Sequence, residues 1–170
     1  MCTFEIKQIF MYAIIFPILF FVTFFGLIFL IRNENHKGVK KTIDKILHSQ
    51  LKLNKIVNSV KCRVFTSGAR NPNYRFRLAD LYFFENSFLI VGFIKLGNFK
   101  FYKSAILLSN NIELKQNNPD IKITTLRNIN LHSFNKDVFI EFGYSKFNAT
   151  NVEIRLKNLT EEYKSLIKFN

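Results

Sequence analysis

LYFFENSFLIVGFI, residues 81–94, sets two apolar runs of strand length on either side of Glu85-Asn86-Ser87. A short polar interruption between β-branched and aromatic runs is the signature of a hairpin. The pattern extends in both directions. Upstream, Val60, Cys62, Val64 and Thr66 alternate with Lys61, Arg63 and Phe65, and Tyr74, Phe76 and Leu78 alternate with Arg75 and Arg77. Downstream, residues 99–108, 121–126, 129–134 and 138–142 form further strand-length segments, and Val152, Ile154 and Leu156 alternate with Glu153 and Arg155. Turn signals at residues 68–72, 96–98, 117–120 and 135–137 separate them. This periodicity predicts a mainly-β domain over residues 59–170, a small antiparallel barrel or sandwich of about seven strands.

The last segment, LTEEYKSLIKF (residues 159–169), switches to helical spacing. Thr160 is a candidate N-cap, and Glu161 and Glu162 face the helix dipole. A C-terminal helix over residues 160–169 is expected to cover the open end of the strands.

At the other end, residues 9–31 read IFMYAIIFPILFFVTFFGLIFLI, without a charge. About 20 helical residues cross the hydrocarbon core, so this run is long enough to span it. A cleaved signal has a shorter apolar region, roughly 7–15 residues, and a small-residue cleavage site; here the run stops at Arg32-Asn33. A transmembrane helix over residues 9–31 follows, with residues 1–8 as an N-terminal tail. Lys7 stands beside Glu5 before the span, whereas Arg32, Lys37, Lys40, Lys41 and Lys45 follow it. Positive flanks stay on the cytoplasmic side, so the expected topology is single-pass, N-terminus out and C-terminal domain cytoplasmic. Two sequons, Asn148-Ala-Thr150 and Asn158-Leu-Thr160, would matter only in the opposite orientation.

Between span and strands, Val39, Ile43, Ile46, Leu53, Val57 and Val60 keep a 4,3 spacing, with lysines on the other faces. The reading is a basic amphipathic juxtamembrane helix over residues 32–58. It could pair with a second copy, lie on lipid, or pack on the following domain.

Meandering strands followed by one amphipathic helix resemble the pleckstrin-homology (PH-like) fold, including the GRAM and bacterial PH-like variants. The resemblance covers roughly residues 57–170 and rests on element order. It also has a local motif: Lys61 in the first strand, then Arg75-Phe76-Arg77 followed by Leu78-Ala79, is similar to the basic pattern of phosphoinositide-binding members. The chain departs from many members in having no Trp; Tyr163, Leu166 and Ile167 would stand in its place. The resemblance implies lipid-headgroup binding without catalysis.

The formal net charge is +13, with 25 Lys+Arg against 12 Asp+Glu. Most of the excess lies in residues 32–79, where only Glu34 and Asp44 oppose Arg32, Lys37, Lys40, Lys41, Lys45, Lys52, Lys55, Lys61, Arg63, Arg70, Arg75 and Arg77. A/T-rich coding would explain abundant Lys but not this clustering. Anionic lipid attracts such residues by about 1 kcal/mol each at the surface, and Arg can grip a phosphate with two parallel hydrogen bonds. Lys61, Arg63, Arg70, Arg75 and Arg77 are the candidate headgroup ligands, with Arg32, Lys37, Lys40, Lys41, Lys45, Lys52 and Lys55 as a juxtamembrane basic set. Nucleic acid is disfavoured, because the alternation turns Tyr74 towards the apolar side, away from any stacking surface.

No phosphate-binding loop, paired Cys-x-x-Cys, His-Glu-x-x-His or nucleophile elbow is present. Cys62 reads as a core residue, His36 and His48 as solvated helix residues, and Asp80, Glu85, Asp120 and Asp137 as turn or strand-end carboxylates. No cofactor, metal or catalytic residue is expected. The sequence points to a membrane-anchored domain on anionic headgroups, with a scaffold subunit binding a membrane-protein partner as the alternative.

Overall fold

The computed structural model describes residues 2–49, 51–69, 71–111, 114, 116, 121–133, 136–143 and 150–167, the side chains of 2–14 excepted. Arg70, the turn at 117–120, the first sequon's Asn148 and residues 168–169 of the expected terminal helix lie outside them. Two compact units result, Met1–Asn35 and His36–Asn170.

The first unit belongs to α1 (Cys2–Leu47). Its residues from Ile15 to Ile31 are apolar and exposed on all sides. Such a helix is long and apolar enough to cross a membrane. Thr23 donates its hydroxyl to the Leu19 and Phe20 carbonyls, so no polar side-chain group is left over in the run. Phe20 stacks with Phe24 and Phe21 with Phe25 along the helix surface.

The second unit opens with the last turns of α1. Ile43 and Ile46 are buried there with Phe84, Leu89, Val91, Leu107, Ile121 and Ile123, and Val39 packs against the same cluster. Of the three roles open to the amphipathic segment, packing on the domain is therefore the one residues 36–47 adopt. Its predicted end at residue 58 is wrong. The helix stops at Leu47, where the His48 ring N–H donates to the Asp44 carbonyl and the Ser49 hydroxyl to that of Ile46. Leu53–Gly68 is strand β1.

The remaining elements are a 3-10 turn (Pro72–Tyr74), β2 (Leu78–Phe84), β3 (Phe88–Leu96), β4 (Phe99–Leu108), β5 (Ile123–Thr124), β6 (Leu126–Asn130), β7 (Val138–Gly143), β8 (Thr150–Leu156) and α2 (Glu161–Ser165). Eight strands form one sheet in the order β5-β4-β3-β2-β1-β8-β7-β6. All neighbours are antiparallel except β4 and β5, which run parallel, so the sheet is mixed where an antiparallel one was expected. Two predicted strands move with it: residues 121–126 contribute β5 and the first residue of β6, and 129–134 gives way to β6, which runs from Leu126 to Asn130.

β1 belongs to both halves. Its first part pairs with β2, from Leu53↔Phe84 to Lys61↔Leu78, and its second with β8, from Cys62↔Leu156 to Gly68↔Thr150. Bulges at Leu53/Lys55 and Val57/Val60 interrupt the first part. The second bulge also produces the helix-like step from Val57 to Val60, both packed on the inner core, because an extra residue breaks the period of two; Leu53, paired with Phe84, stays exposed.

Inside the fold, Leu81, Phe83, Phe88, Ile90 and Leu108 meet Cys62, Ile140, Phe142, Ile154 and Leu156 from the other half. The C-terminal segment closes this core with Leu159 and Ile167, and Tyr163 and Leu166 pack against it. α2 is much shorter than the predicted helix, since buried Leu159 and Ile167 anchor the segment from outside its helical turns.

Asp80 holds the second bulge. It is buried in β2, where its Oδ1 accepts from the Ser59 N–H at 2.8 Å and its carboxylate pairs with Lys100 Nζ at 2.8 Å. It is thus a mid-strand structural carboxylate and not a strand-end one. Asp80→Ala should lower the unfolding free energy by about 2–4 kcal/mol, because a buried N–H and a cation both lose their acceptor. Urea unfolding of the full chain in detergent checks this, and Asp80→Asn, which keeps an acceptor for Ser59, should lose less.

Candidate anion-binding surface

On β1, Cys62 points into the core while Lys61, Arg63 and Phe65 are exposed on the opposite face. Burial pushes the Cys62 thiol up to about 12, so it stays protonated at neutral pH. Across the sheet, Lys61 begins a row that continues through Leu78 and Phe93 to Tyr102. The Tyr102 N–H donates to His36 Nδ1 at 3.1 Å, and the two rings stack with centroids 5.2 Å apart. His36 is therefore no solvated helix residue. It fastens the start of the second unit to the same row as Lys61.

Arg75 and Arg77 reach this end of the sheet by an unpredicted route. The expected strand over residues 74–78 is absent. Pro72–Tyr74 forms the 3-10 turn, Asn71 accepts from the Asn73 N–H, and the strand begins only at Leu78. The inward phase also slips by one residue, since both Phe76 and Ala79 are buried in the inner core. Phe76 causes this local shape. Its ring lies directly over Gly92 of β3, where any Cβ would collide with it. Tyr74 is half-buried edge-on to Phe142, 5.9 Å between centroids, and its phenol is pushed up by burial. With these two aromatics turned inward, Arg75 and Arg77 are left exposed. The Cys62 N–H donates to the Arg77 carbonyl at 2.9 Å, which sets the Arg77 backbone against β1 next to Lys61.

Lys61 and Arg63 thus share a strand face, and Arg75 and Arg77 adjoin it from an irregular segment instead of continuing it. Among the described residues none of these four side chains has a carboxylate partner. The juxtamembrane set is less uniform. Lys40, Lys41 and Lys45 are exposed along α1, and Arg32 belongs to the first unit. Lys52 is bound to Glu85 at 2.7 Å, a hydrogen bond that raises its pKa. Lys55 lies 3.9 Å from Glu162 and over the Tyr163 ring.

Sequence reasoning missed Arg155, which faces Arg63 across β1 and β8 and is held between the rings of Phe65 and Phe139 at 4.9 and 5.2 Å. Its guanidinium also binds Glu153 at 2.7 Å, so it is a stacked and partly neutralised neighbour of the patch. No family model matches the chain, and no curated protein or solved structure is similar to it.

The buried thiol gives a direct check. With its pKa raised above the unfolded value, the Cys62 contribution to stability is complete below about pH 9 and is lost as pH rises towards 12. In a Cys2→Ser background, alkylation of the folded chain at pH 8 should be much slower than in urea, as mass spectrometry would show.

Proposed function

We propose that this chain is a single-pass, membrane-anchored, non-catalytic domain of PH-like architecture that orients on anionic lipid headgroups at the cytoplasmic leaflet. The observation that carries this is the pair Arg75 and Arg77, held outward by inward-turned Tyr74 and Phe76 and without carboxylate partners among the described residues. Lys61 adjoins them on the row that ends at His36.

Three further points support the reading. The order β4-β3-β2-β1-β8-β7-β6, with a C-terminal helical segment against the inner core, agrees with a PH-like meander. The basic residues after the apolar run favour a cytoplasmic domain. Only residues 32–35 separate that run from His36, so a span there would keep the domain close to the bilayer. Tethering raises the effective lipid concentration, and a weak site can then be filled.

The alternative, a scaffold that docks a protein through the β domain, is favoured by the half-exposed Phe65 beside stacked Arg155. The two readings separate in full-length protein reconstituted into nanodiscs. Anionic lipid, compared with zwitterionic lipid, should slow amide exchange over residues 61–63 and 71–79, and Arg75→Ala/Arg77→Ala should remove most of that protection. Equal exchange in both lipids would overturn the headgroup reading. An equal loss from Lys40→Ala/Lys41→Ala would reduce it to general electrostatics.

A further inference from the structure

The hairpin joining β3 and β4 ends in an apolar point. Leu96 and Phe99 face each other across the two-residue turn Gly97-Asn98, with Gly97 at φ +57°, where a type II′ turn places Gly. Leu96 is 69% exposed and Phe99 73%, more than any other large apolar residue described in the second unit. Ile94 and Phe101 form the second pair down the hairpin, after Lys95 and Lys100, and strand alternation puts Leu96, Phe99, Ile94 and Phe101 on one face. Lys95 and Lys100 occupy the other face, Lys100 bound to Asp80 and Lys95 exposed. Residues 86–112 contain no acidic side chain.

This tip projects beyond the row Lys61–Leu78–Phe93–Tyr102, at the end of the sheet that carries His36. Phe76 rests on Gly92, two positions before Ile94, so Arg75 and Arg77 flank the hairpin's base. An apolar point with Arg75 and Arg77 beside it and no acidic residue in its own hairpin complements an anionic bilayer. Its bulky side chains suit the acyl boundary, and the cations beside them suit the phosphate layer. A protein partner would have to bring a pocket to a convex two-residue turn.

We infer that the β3–β4 tip inserts Leu96 and Phe99 into the lipid bilayer as an apolar wedge. The inference deepens the headgroup reading and rests on the domain facing lipid with the Arg75–Arg77 end. The chain has no Trp, so Phe99→Trp provides a single intrinsic probe. In proteoliposomes of the full chain containing anionic lipid, its emission should shift to shorter wavelength and be quenched by lipids brominated near the headgroup end of the acyl chain. A Phe65→Trp variant, away from the tip, should remain unquenched. Unshifted, unquenched emission at position 99 would overturn the wedge. Shifted emission without bromine quenching would also overturn it, and would put protein, a second copy included, on the tip. Amide exchange over residues 71–79 in the same vesicles separates the two claims. Protection there with an unquenched Trp defeats only the wedge, whereas quenching that persists in Arg75→Ala/Arg77→Ala without protection defeats only the headgroup site.

Discussion

The whole domain depends on one strand changing partners. β1 leaves β2 after Lys61 and takes up β8 at Cys62, and among the described residues no other strand joins the two halves in the sheet order. A straight strand would carry both halves in a single twisted layer and could not fold them over a common core. The bulge at Asn58-Ser59 accompanies the bend, with Ser59 at φ +59°, a conformation costly for a residue with a Cβ. The bulge frees the Ser59 N–H from the ladder, and Asp80 accepts it. Burying a carboxylate for this purpose requires a cation, which Lys100 supplies from β4 while resting over the Phe93 ring, 4.6 Å from its centroid. Three strands are thereby locked to one buried polar contact.

The same bulge explains where the sequence misleads. The apolar run of residues 9–31 is legible because nothing competes with its length. The hairpin at 81–94 is legible because two strand-length runs flank one turn. Residues 53–60 are not, since a bulged strand with inward Val57 and Val60 has the spacing of a helix. Tyr74 to Arg77 alternates in exposure as expected, with Arg75 and Arg77 outward, before the phase slips to Ala79. Yet the alternation comes from Phe76 seating on Gly92, a contact between residues sixteen positions apart that periodicity does not encode. Lys52 and Lys55 look as available as Lys61, and their carboxylates, Glu85 and Glu162, become neighbours only through the fold. Leu96 and Phe99 carried a readable signal, large apolar residues on both sides of a Gly-Asn turn, which the strand pattern absorbed.

Charge and apolar surface at the Arg75–Arg77 end differ in range, and that difference gives each a separate use. Cations near an anionic surface gain about 1 kcal/mol each, over a Debye length of about 8–10 Å at physiological salt. They act before contact and weaken as salt rises. Burial of a Leu or Phe side chain is worth about 1.5–3 kcal/mol, acts only on contact and does not depend on salt in this way. For a domain tethered by its own chain, arrival at the bilayer requires neither. Orientation does require a difference between one end and the rest. Arg75 and Arg77, without carboxylate partners among the described residues and beside exposed Leu96 and Phe99, would supply one, whereas on the outer face of β8 Arg155 is already bound to Glu153 and stacked between two rings. On the proposed headgroup reading, the uneven pairing of cations, more than their number, would give the domain a preferred side.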